Sequence, residues 1–75
     1  MLDKLHKSIN EVLGDAGRPP IPSLTREMHL RRELGLDSLE LAVLTVKLEA
    51  EFGVDVFADG LVTTVGEVED RLLGR

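Results

Sequence analysis

The chain contains no cysteine, tryptophan or tyrosine, and only two phenylalanines in 75 residues. Without cysteine there is no disulfide framework and no thiolate metal site, so a small hydrophobic core has to hold the fold alone. A domain this short buries only ~60% of the surface that its unfolded chain exposes. The two histidines, His6 and His29, lie far apart with no ligand cluster beside either, which argues against a structural zinc. No apolar run approaches the ~20 residues of a transmembrane helix. No basic stretch followed by an apolar one marks a signal peptide after Met1. Positive charge is also in short supply, with nine basic against fourteen acidic groups and a formal net charge of −5. That balance argues against nucleic acid or an anionic membrane as the main partner. The expectation is a single domain over residues 1–75, cytoplasmic and monomeric, too small for an elaborate active site. Met1 directly ahead of the first helical pattern points to a free-standing chain.

The acidity is unevenly placed. Residues 1–36 carry six basic and five acidic groups, net +1, whereas residues 37–75 carry three basic and nine acidic groups, net −6. Such an excess is either a solvated surface or a docking face for basic partners.

Leu2, Leu5, Ile9, Val12 and Leu13 recur at helical spacing with polar residues between them, predicting an amphipathic first helix of about three turns. Gly14 and Gly17 are positioned to close it. Arg18-Pro19-Pro20-Ile21-Pro22 then forbids regular helix. The long connection from Gly14 to Asp37 needs anchors of its own, for which Ile21, Leu24, Leu30 and Leu34 are available. Asp37 with Glu40 forms a capping-box pair opening a second helix that stops at Gly53. Phe57 to Leu61 allows at most one or two turns, broken by Gly60. Thr64 with Glu67 opens a last helix with Val65, Val68 and Leu72 facing inward. The expected architecture is all-α, a four-helix bundle with a long first loop and a short third helix.

The second helix is apolar on two sides. Leu41, Leu44, Thr45, Leu48 and Phe52 share one face, the natural core face, and Leu39, Ala42, Val43, Val46 and Ala50 share the opposite one. So few residues cannot easily surround a central helix. The second stripe is therefore either covered by the later helices or left to receive a ligand or partner.

Ser38 follows the predicted cap and would be the first helical residue, its hydroxyl at the rim. Helix N-termini offer unpaired N–H groups and partial positive charge, which suit a phosphate. Taken alone, Asp37-Ser38 favours the plainer reading of capping chemistry. The wider segment Leu34-Gly35-Leu36-Asp37-Ser38-Leu39, with Glu40 and an apolar helix ending Phe52-Gly53-Val54, resembles the acyl carrier protein family. The resemblance extends over essentially the whole chain, to the Thr63-Thr64-Val65 that opens the last helix. It implies that Ser38 carries a 4′-phosphopantetheine arm, transferred from coenzyme A by a phosphopantetheinyl transferase, whose thiol holds acyl groups as thioesters. Asp37 would cap the helix and help define the transferase site. The protein would be a carrier and not an enzyme, serving acyl-loading, ketosynthase or other synthase enzymes through its second helix. Leu39, Glu40, Val43, Val46 and Lys47 are the expected partner face. Ala42, Val46, Leu61 and Val62 are the expected path for an acyl chain folding back.

Several residues depart from the family's pattern. Val43 stands where fatty-acid carriers have an acid, Arg31 and Arg32 precede Leu34, and Phe57 lies near a usual proline. These favour a specialised, polyketide-like pathway over housekeeping fatty-acid synthesis. A peptidyl or aminoacyl carrier is the alternative on account of the apolar second helix, although Asp37 before the serine leans towards acyl carriers. An unmodified helical interaction module is the remaining alternative. Ser38 lacks the Gly-x-Ser-x-Gly setting of a hydrolase nucleophile. The Asp55–Gly60 stretch fails as a calcium loop at its third and twelfth positions. Arg31 and Arg32 are too few for a nucleic-acid patch and read either as solvated loop charges or as contacts for the phosphate of the arm.

Overall fold

Leu5, Ile9, Val12 and Leu13 form one buried stripe together with Ser8, and the rest of the core gathers on it. In the computed structural model, which describes residues 1–58 and 60–75, it belongs to helix α1 (Leu2–Asp15). Helices α2 (Ser38–Phe52) and α3 (Val65–Leu72) follow, and the described residues form no strand beyond one isolated bridge between His29 and Thr64. Leu44 and Leu48 of α2 are buried against this stripe, joined by Leu24, Leu30, Leu34 and Leu36 from the first loop, Val56 and Val62 from the second, and Val65 and Val68 of α3. Ser8 donates to Glu51 across the α1–α2 contact at 3.1 Å.

The first loop is long but tied down at both ends. Near its start, Ile21 exchanges hydrogen bonds with Asn10, and His6 Nε2 donates to the Ile21 carbonyl at 2.6 Å. Near its middle, the backbone runs beside the start of α3. Leu30 N donates to Thr63 O, Val65 N to Met28 O and Gly66 N to Arg26 O. The Arg26 side chain then spans to Glu69 and Asp70. These bonds explain how 22 residues without regular structure stay on the body. The radius of gyration is 11.0 Å, about the ~11 Å that 75 compact residues require.

Two boundaries differ from expectation. Gly14 lies inside α1, which runs a further residue to Asp15 and is capped at Ala16, because the reversal needs a left-handed residue only at Gly17, with φ +75°. The fourth, short helix is not formed among the described residues. Val56 to Ala58 makes turns, with Ala58 N bonded to Asp55 O and Gly60 N to Phe57 O. Arg71 of α3 donates to the carbonyls of Val56 and Gly60 at 2.7 and 2.9 Å. Those carbonyls are held by a side chain from outside the segment, and the turn does not propagate. Asp59, part of the expected third helix, lies outside the described residues.

Candidate functional site

Asp37 has extended backbone angles, and its carboxylate accepts from Glu40 N at 2.8 Å while Glu40 Oε1 accepts from Asp37 N at 3.0 Å. This reciprocal box fixes the first turn of α2. Ser38 is therefore the first residue of that helix, and it is exposed.

The segment that delivers Ser38 is clamped by a residue whose role the sequence did not disclose. Arg18 donates to the carbonyls of Gly35 and Leu34 and forms an ion pair with Glu40. Gly35 sits at φ +70°, and an added Cβ would lie 2.5 Å from Arg18 Nη2. Glycine is required there both for the backbone conformation and for the close approach of the guanidinium.

Glu40 is corrected by this geometry. It was expected on the partner face, but it is 7% exposed. Its carboxylate is engaged by the cap and by Arg18, so it holds the helix start in place of meeting a partner. The acidic excess is reduced in the same way: Glu40, Glu69 and Asp70 are all paired with arginines from the first half of the chain.

Leu39, Val43 and Val46 are 73%, 41% and 68% exposed. Among the described residues, no later element closes over these three side chains. Ala42, Val43, Val46 and Ala50 instead floor an open groove of about 700 Å³ against α1, rimmed by Glu11, Asp15, Lys47 and Glu51.

On the other side of Ser38 lie two smaller hollows that share Arg31, Leu41, Phe57 and Leu61. One, about 220 Å³, also touches Ser38, Ala42 and Thr45, and the other, about 260 Å³, reaches Leu30 and Val62. Leu61 is 86% exposed over them. Ala42 and Leu61 thus line the hollow that touches Ser38, and Leu61 and Val62 line its neighbour. Val46 does not: it lines the groove on the α1 side, because it projects from α2 away from the 60–63 loop.

Arg31 Nη2 donates to Ser38 Oγ at 2.7 Å. An exposed hydroxyl at a helix start, with a guanidinium on it, fits a phosphate ester: the helix end and the arginine both favour negative charge. Residues 3–72 match the family described as the phosphopantetheine attachment site. An acyl carrier protein of Saccharopolyspora erythraea is 36% identical over 93% of this chain and 76% of its own length. The chain belongs to the acyl carrier protein family. Acyl carrier proteins of two Rickettsia bellii strains are 28% and 29% identical, each over 92% of this chain and over 84% and 79% of their own lengths. No solved structure gives a significant match. As a member of this family the protein is a carrier and not a catalyst, and its prosthetic group is 4′-phosphopantetheine. No helix among the described residues is long and apolar enough to cross a membrane, and no group of three potential metal ligands occurs among them.

Proposed function

We propose that this carrier bears its arm on Ser38 and delivers acyl thioesters to the enzymes of a specialised, polyketide-like pathway in the cytoplasm. The observation that carries the assignment is the exposed Ser38 hydroxyl at the capped start of α2, bonded by Arg31. Attachment forms a bond from Ser38 Oγ to the pantetheine-bearing phosphorus of coenzyme A. The bond from that phosphorus to adenosine 3′,5′-bisphosphate breaks, and the hydroxyl proton passes to a base of the transferase. Once attached, the arm supplies a thiol that holds acyl groups as thioesters. The chain's own contribution is to present the hydroxyl on a rigid, capped turn, which the Asp37–Glu40 box and the Arg18 clamp maintain. Incubation with coenzyme A and a broad phosphopantetheinyl transferase should add the mass of one arm, and Ser38→Ala should abolish it. An unmodified wild-type chain, under conditions that load a control carrier, would overturn the assignment.

Leu39, Val43, Val46 and Lys47 form the docking face in this reading, and Ala42, Leu61 and Val62 border the path for the acyl chain. The exposed apolar stripe with Val43 supports a partner that recognises α2 through aliphatic contact. That same stripe is the one observation favouring a peptidyl carrier. Loading by aminoacyl-activating enzymes in preference to acyl-loading enzymes would decide for it.

A further inference from the structure

The geometry points to Arg31 as the residue that holds the phosphate of the arm and so starts the arm along the hollows bordered by Leu41, Phe57 and Leu61; the inference rests on attachment at Ser38. Arg31 reaches across from the first loop to Ser38 Oγ at 2.7 Å, and no carboxylate among the described residues pairs with it. Its neighbour Arg32 makes no side-chain bond to Ser38; among the described residues only its backbone N–H is engaged, by His29 Nδ1 at 3.2 Å.

When Oγ is esterified it loses its proton and becomes a poorer acceptor. The charge then resides on the two non-bridging oxygens, each two covalent bonds from Oγ. A guanidinium already on Oγ meets those oxygens by a small rotation, and its forked donors suit two phosphate oxygens at once. The Asp37 carboxylate next to Ser38 repels a phosphate, and Arg31 is the cation placed to offset it. Arg31 also lines both hollows, of about 220 and 260 Å³. A phosphate held by Arg31 therefore leaves the next atoms of the arm beside these apolar hollows and not on the Val43 side of α2.

The test uses the arm-bearing protein in four forms: wild type, Arg31→Lys, Arg31→Gln and Arg32→Gln, with the arm confirmed on each by intact mass. Failure of wild type to gain the mass refutes attachment, not this role. The expected results are a phosphorus NMR signal that is sharper and displaced in Arg31→Gln, and attachment-induced shifts at the Leu61 methyls and Phe57 ring that fall by about half or more. Arg31→Lys should be intermediate and Arg32→Gln like wild type. Transfer from coenzyme A should slow about twofold to fivefold in Arg31→Gln, the range of an exposed ion pair. Phosphorus, Leu61 and Phe57 signals unchanged in Arg31→Gln would overturn the inference. So would an equal effect from Arg32→Gln, which would make the contribution one of net charge alone.

Discussion

Replacing Arg18 with methionine keeps most of the apolar stem of the side chain but deletes the three hydrogen bonds of its guanidinium. They run to the Gly35 carbonyl at 2.7 Å, the Leu34 carbonyl at 3.4 Å and the Glu40 carboxylate. Glu40 keeps its capping bond from Asp37 N at 3.0 Å, yet its side chain, 9% accessible, is left without a cation. Removing one partner from a buried hydrogen-bonded group costs ~1–3 kcal/mol, and more for a charge. The Arg18 side chain is itself 36% accessible, so water reaches the pair and screens it, which brings the expected cost to about 2 kcal/mol. The whole domain is worth only ~4–11 kcal/mol at the usual value per residue, and in a domain of this size the loss should lower Tm by about 8–16 °C. Far-UV circular dichroism melts would measure it. A double-mutant cycle with Glu40→Gln, which retains the capping geometry and removes only the charge, isolates the pair; a coupling of about 1 kcal/mol is expected. A drop in Tm below ~3 °C, or single effects that add to within ~0.5 kcal/mol, would refute the clamp.

Gly35→Ala should destabilise by about 1–2 kcal/mol from the left-handed backbone alone, with the Arg18 contact adding to it. Chemical denaturation would detect this, and an unchanged midpoint would contradict the close approach. Val43→Glu places a charge on the apolar stripe at an exposed position, so it should leave Tm within a few degrees while weakening partner binding; unchanged acyl-transfer rates with the cognate synthase would remove Val43 from the docking face. The Glu67 carboxyl is held down at about 2 by the Thr63 hydroxyl first, then by the backbone N–H groups of Thr63 and Thr64 and the Thr64 hydroxyl. Because the folded pKa lies below the ordinary 4.5, this contribution is fully present above about pH 4.5 and is lost as pH falls towards 2. Glu67→Gln should flatten that part of the acid limb, and an identical pH–stability profile in the variant would show that the cap carries no linked proton.

The sequence by itself determined the features set by neighbours a few residues apart. The two capping boxes, Asp37 with Glu40 and Thr64 with Glu67, form as their spacing requires. Gly53 ends α2 in the left-handed conformation, and the α1 stripe is buried as its period demands. Ser38 at the exposed start of α2 follows from the same local rules. Tertiary structure decided what depends on partners distant in the chain. The Glu40 spacing announces a cap, but only Arg18, 22 residues earlier, turns its charge inward. The carbonyls of Val56 and Gly60 go to Arg71 and not to a continuing helix. Helical periodicity puts Val46 and Ala42 on one stripe, yet Ala42 borders both the α1 groove and the hollow beside Ser38, whereas Val46 faces only the groove. Which side of a two-faced helix is covered is fixed by where the connecting loops run. The bonds placing those loops link polar groups that no local pattern pairs in advance.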